Sequence, residues 1–159
     1  MNWAIFLVLG SILALSQQQE LQEKADQRCR KEEAMKAAVE TYRRAWDNYN
    51  HGNLARMALS FQPGAQFTFA PDPNACDKTV TLDLVQTFQA AYAAGDRGEY
   101  VLKSVEWDEY ERTVKIRSTD FHGPFGQNLT AVDSQVFFSA DYGCNYKAYL
   151  YVATSFFCL

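Results

Sequence analysis

Apolar and polar residues alternate along this chain at several periods, and each period predicts an element. Trp3 to Leu15 is a nearly unbroken apolar run, and no charged side chain occurs between Met1 and Ser16. The run falls short of the roughly 20 residues a helix needs to cross a bilayer. Ala14-Leu15-Ser16 places small residues at the -3 and -1 positions of a cleavage site, and the polar run Gln17-Gln18-Gln19 follows. This pattern predicts a secretory signal over 1–16, although its start has no Lys or Arg beyond the free amino group. A polar helical lead-in is expected over 17–33, with Glu20 and Lys24, and Asp26 and Arg30, at ion-pair spacing. The folded domain is expected over 34–159.

Within that domain the period first becomes helical. Met35, Val39, Tyr42, Trp46 and Tyr49 recur at three- and four-residue steps and predict one face of an amphipathic helix, ended by Gly52. Asn53 is expected to cap a second helix over 54–61, carrying Leu54, Met57, Ala58 and Phe61 inward, with Pro63-Gly64 as its stop. Ala65 to Phe69 alternates and predicts a strand. The proline-rich stretch Ala70 to Asp77 reads as a loop, and Lys78 to Val80 as a short strand. Thr81 is expected to cap a third helix, with Leu82, Val85, Phe88 and Tyr92 on one side and Gly95 to Gly98 as its end. Strands are expected over 100–107, 113–121, 134–140 and 146–157. Val114 and Ile116 then share one face, opposite Lys115 and Arg117. His122 to Asp133 reads as a loop. Helices followed by consecutive antiparallel strands predict an α+β domain, its helices packed on one face of a curved sheet.

Composition narrows the class. The 159 residues are 48% hydrophobic and 14% aromatic, which fits a globular chain. The formal net charge of -4 argues against a nucleic-acid partner. No second long apolar run follows the signal, so no membrane attachment is expected once the signal is removed, and the mature protein is expected to be secreted and extracellular. An oxidising route gives the cysteines their meaning. Cys29, Cys76, Cys144 and Cys158 are even in number and lack Cys-x-x-Cys spacing, so two disulfides are expected rather than a metal site. Sequence leaves all three connectivities open, with a lean to Cys29–Cys158 and Cys76–Cys144. Asn128-Leu129-Thr130 is a glycosylation sequon, which makes Asn128 a candidate acceptor.

Three segments taken with the element order carry a family resemblance. Tyr42-Arg43-Arg44-Ala45-Trp46 leads to Asn50-His51-Gly52-Asn53-Leu54, and then to Phe61-Gln62-Pro63-Gly64-Ala65-Gln66-Phe67. In this the chain resembles the nuclear-transport-factor-2-like superfamily, with its polyketide-cyclase-like (SnoaL-like) and ketosteroid-isomerase-like domains. The resemblance covers roughly 35–159. It implies a cone: a strongly curved mixed sheet wrapping about three helices, the cystatin-like superfold. Members variously hold a ligand and a catalytic group in the cone's mouth, fill it with side chains, or dimerise through the outer sheet face. The fold alone therefore does not name a function.

Candidate chemistry is sparse. The resemblance implies a helix tyrosine and strand acids or a histidine inside the cone. Tyr42 occupies the helix position, and Asp120 and His122 are the strand candidates. An isomerase- or dehydratase-like enzyme would need these three to converge. The simpler reading has Asp120 and His122 capping a surface turn. Glu106, Asp108, Glu109 and Glu111 cluster at a hairpin tip and read as solvated. Tyr42, Trp46, Phe67, Phe69, Phe88, Tyr92 and Trp107 would line an apolar ligand pocket or fill a core. No metal or cofactor is expected, since two isolated histidines lack ligand spacing and neither a Gly-rich phosphate loop nor a Gly-x-Ser-x-Gly elbow occurs. The preferred reading is a secreted, non-catalytic domain that binds a small apolar ligand or a protein partner. On the last strand Tyr149 and Tyr151 alternate with Leu150 and Val152, so both faces are apolar or aromatic and a homodimer through the sheet face is expected.

Overall fold

The computed structural model describes residues 29–70, 78–124 and 129–154. The chain divides into two compact units, Met1–Arg30 and Lys31–Leu159, and the fold below is that of the second. The signal and most of the polar lead-in lie outside the described residues, as do Cys76, Asn128 and Cys158.

Helix α1 (Lys31–Asn50) buries Ala34, Ala38, Tyr42, Ala45, Trp46 and Tyr49. The buried stripe is rotated by one residue from the expected one at its start, where Ala34 and Ala38 face inward and Met35 and Val39 are only half-buried. Small alanines let the helix axis approach the sheet, and that outweighs the larger apolar side chains beside them. Helix α2 (Leu54–Ala58) is shorter than expected and buries only Met57. The Asn53 side chain makes no capping bond.

Phe61 opens strand β1 (Phe61–Phe69), so Pro63-Gly64 lie inside a strand and do not stop a helix. The pairing of β1 skips between Phe61 and Gln66, and Gly64 has φ 75°, so this is a bulge. A missing proline N–H costs no ladder bond at such a place. Strand β2 (Val80–Asp83) takes in Thr81 and Leu82, and helix α3 (Leu84–Ala93) starts later than expected. Its cap is Asp83, whose carboxylate accepts the Gln86 N–H at 2.8 Å.

Strands β3 (Asp96–Asp108), β4 (Thr113–Pro124) and β5 (Thr130–Tyr142) are longer than the sequence pattern indicated, and β6 (Asn145–Thr154) starts one residue earlier than expected. Gly98 therefore belongs to a strand and not to a helix stop, and His122 lies within β4. The sheet order is β2-β1-β6-β5-β4-β3, with β1 and β6 parallel and the other neighbours antiparallel. Helix α1 packs on β3, β4 and β6, and α3 on β1, β2 and β3. Val114, Ile116, Val136, Phe138 and Ala148 form the sheet's share of the core and are at most 1% exposed. Cys29 is disulfide-bonded to Cys144, which replaces the expected Cys29–Cys158 and Cys76–Cys144 pairs. Among the described residues no helix is long and apolar enough to cross a membrane.

Candidate functional site

Side chains alternate across a strand, so β4 presents Val114, Ile116, Ser118, Asp120 and His122 to the helices. The first two extend the core. The other three carry polar atoms into it, and two separate hydrogen-bonded centres result.

The deeper centre surrounds Asp120, which is fully buried. Its Oδ1 accepts the Tyr42 hydroxyl at 2.8 Å. Its Oδ2 accepts the Ser134 hydroxyl at 2.6 Å and also that of Tyr151. Ser118 Oγ lies 2.7 Å from the Tyr42 hydroxyl and 2.8 Å from Ser134 Oγ, which closes the network. Burial, and then the charge of Asp120, push the Tyr42 and Tyr151 hydroxyls well above the usual tyrosine range, so both remain donors. A buried carboxylate with three O–H donors is satisfied. It offers no approach to a substrate. The surface-turn reading of Asp120 is thereby corrected: it stands within β4, paired with Tyr100 of β3 on one side and Val132 of β5 on the other.

The shallower centre surrounds Asp96, the first residue of β3. Its Oδ2 accepts the Tyr49 hydroxyl at 2.6 Å and lies 3.0 Å from His122 Nδ1. The His122 side chain is 28% exposed and that of Asp96 15%. Burial, then the hydrogen bond to Asp96, raise the Tyr49 hydroxyl. The carboxylate fixes the imidazole, and among the described residues Nε2 has no hydrogen-bond partner, the usual arrangement of a His–carboxylate base. His122 thus packs inward as well, with its ring 5.2 Å from that of Trp46 and 6.3 Å from that of Phe88. Asp96 was missed in the sequence because Gly95 to Gly98 reads as a helix stop. Only the cross-strand register of Gly98 with His122 brings it into place.

Between the two centres lies the aromatic interior. Tyr42, Trp46, Tyr49, Met57, Phe61, Phe88, Val136 and Tyr151 enclose a cavity of about 20 Å³. That is room for about one water, against the several hundred cubic ångströms of an ordinary ligand pocket. Phe88 of α3 fills the centre, with ring centroids 5.3 Å from Tyr49, 5.7 Å from Tyr151 and 6.2 Å from both Phe61 and Trp46. Of the expected pocket residues, Tyr42, Trp46 and Phe88 line this cavity. Phe67 packs beside it with its ring tilted against that of Tyr151, and Phe69 packs in the same way against Phe67. Tyr92 lies against Tyr49 under the Arg97 guanidinium, which sits 3.6 Å from the ring centre. Trp107 is not part of it: it stands by the β3–β4 turn, where its indole N–H donates to Glu109 at 2.5 Å.

No protein-family profile matches the chain. No curated protein matches it by sequence. Solved structures do match. A domain of unknown function with a cystatin-like fold from Nostoc punctiforme aligns at TM-score 0.55 and 14% identity over 72% of each chain. A ketosteroid isomerase-like protein from Erwinia carotovora atroseptica aligns at TM-score 0.52 and 10% identity, over 77% of this chain and 95% of that one. BvnE pinacolase from Penicillium brevicompactum aligns at TM-score 0.52 and 13% identity, over 75% and 85%. The architecture is that of the nuclear-transport-factor-2-like, or cystatin-like, cone.

Proposed function

We propose that this chain is a secreted, non-catalytic binding domain that works from its surface and not from the cone interior. One observation carries the reading: the interior is filled, with about 20 Å³ left open and its deepest carboxylate saturated by side chains of the chain itself. A small apolar ligand has no room there unless Phe88 moves. The sheet face away from the helices offers the alternative. Phe137 pairs with Leu150 there and Gln135 with Val152, and the Tyr149 ring stands 6.3 Å from that of Phe137. All of these side chains are only partly buried. A second copy of the chain is the expected partner, since Glu106 bonded to Lys115 and Arg117 gives this face both signs of charge.

Sedimentation velocity on the chain beginning at Gln17 tests this reading. A dimer that Leu150→Lys dissociates supports it. A strict monomer at high concentration, or uptake of an apolar dye into the core, would sink it.

A second reading keeps one observation of its own, the Asp96–His122 hydrogen bond. An isomerase- or dehydratase-like activity would rest on His122 with Asp96, not on Tyr42 and Asp120. Isomerisation of an unsaturated ketone that His122→Gln abolishes and Tyr42→Phe leaves intact would favour it.

A further inference from the structure

A groove of about 430 Å³ runs between α1, the end of α2 and the start of β6. Its side chains include Arg44 and Asn48 of α1, Arg56 of α2, Ser60, and Asn145 and Lys147 of β6. Three of these are cations, and no carboxylate is among the lining residues, in a chain whose net charge is -4.

The pairing of the charges is uneven. Lys147 is held 2.8 Å from the carboxylate of Asp141. Among the described residues neither arginine has an ion-pair partner. Arg44 instead donates from Nη2 to Thr41 Oγ1 at 3.2 Å, and Asn48 is tied to the Arg44 carbonyl at 2.8 Å. The Arg44 head is thus anchored on the groove wall. Ser60, 7% exposed, completes the groove wall just before β1.

We infer that this groove binds a small organic anion through a tetrahedral oxyanion, a phosphate or sulfate ester. Planar guanidinium groups match such oxygens with paired N–H donors. The two arginines without an ion-pair partner favour a group carrying two negative charges over a monocarboxylate. The volume suits one small molecule, not a polymer. The groove is made by other residues than the sheet face of the proposed dimer, so the two readings stand or fall separately.

Calorimetric titration of the full mature chain with inorganic phosphate, inorganic sulfate and acetate, at matched low ionic strength, tests it. Phosphate or sulfate is expected to bind with a dissociation constant on the order of 1 mM, and acetate at least about tenfold more weakly. Arg56→Gln and Arg44→Gln, both at exposed positions, should each weaken binding about tenfold. Arg56→Lys should recover part of it, and Lys103→Gln, outside the groove, should leave it unchanged. No binding of phosphate or sulfate, equal binding of acetate, or binding indifferent to both arginine variants would overturn the assignment. The unliganded melting temperature of each variant shows that the fold is kept. Preference for phosphate over sulfate, or the reverse, identifies the ester.

Discussion

Removing the Tyr42 hydroxyl, with the ring kept, is the sharpest test of whether Asp120 belongs to the scaffold. Tyr42→Phe takes the donor at 2.8 Å from Oδ1 of a fully buried carboxylate and deprives Ser118 of a partner at 2.7 Å. The ring contacts with Trp46, Tyr100 and Phe138 survive, so no cavity of aromatic size opens. A hydrogen bond to a charged group contributes about 1.5–3 kcal/mol and a neutral one about 0.5–1.5 kcal/mol. The added apolar character of Phe returns a fraction, so a net loss of about 2–3 kcal/mol is expected. Tyr49→Phe is the matched control. It also removes a donor to a carboxylate, at 2.6 Å from Asp96, but that side chain is 15% exposed and keeps His122. Water can replace the lost donor there, and about 1 kcal/mol is expected. In urea, with a slope of about 2 kcal/mol per molar, the midpoint should fall by about 1 M for Tyr42→Phe and about half that for Tyr49→Phe. Tryptophan fluorescence reads both transitions, because Trp46 stands in the core between the two tyrosines. The reasoning fails if Tyr42→Phe lowers the midpoint no further than Tyr49→Phe at equal slope.

Three further outcomes are expected. Gly98→Ala would drive a Cβ into the Trp46 ring and to 2.8 Å from the Phe121 carbonyl oxygen, so it should destabilise by about 1–3 kcal/mol in thermal melts; an unchanged melting temperature would contradict it. Asp133 is held below its ordinary value of 3.8, first by the hydrogen bond from Lys103 and then by that from Thr119. A lowered carboxylate stabilises the fold above its unfolded value, and that gain disappears as pH falls through the folded value. Asp133→Asn should therefore cost about 0.5–1 kcal/mol at neutral pH, discounted for the exposed lysine, and nothing in strong acid; a pH-independent difference would contradict it. A non-reducing peptide map should show Cys29–Cys144 together with Cys76–Cys158, because β1 and β6 run parallel and finish side by side at Phe69 and Ala153 before those cysteines follow in sequence. Free thiol at Cys76 or Cys158 would refute the second pair.

The class of the fold was legible because its elements carry ordinary signals. The α1 stripe, the β4 alternation and the Asp141–Asn145 turn each stand close to where the pattern puts them. The misplacements share one physical cause, that pairing partners override local chemistry. Pro63-Gly64 is stop chemistry in isolation. In the sheet it falls where β1 pairs with neither β2 nor β6, so its lost N–H costs nothing and the strand runs through it. Gly98 reads as a helix end. In the sheet it is the one residue small enough for Trp46 to lie on β3 opposite His122. The candidate site was half legible for the same reason. Continuing the period of two from Val114 and Ile116 through Ser118 places Asp120 and His122 inward, so their direction was already in the sequence. Their partners were not. Tyr151 and Ser134 reach Asp120, and Asp96 reaches His122, only through the register of β6, β5 and β3. Those partners decide the chemistry. Three hydroxyl donors make Asp120 part of the scaffold, whereas one carboxylate and partial exposure leave a nitrogen of His122 uncommitted. An acid–base pair drawn from adjacent positions of one strand thus separates into a closed centre and an open one. Among the described residues an acid–base reaction inside the cone would fall to His122 with Asp96, and binding with the core filled would fall to the outer surface.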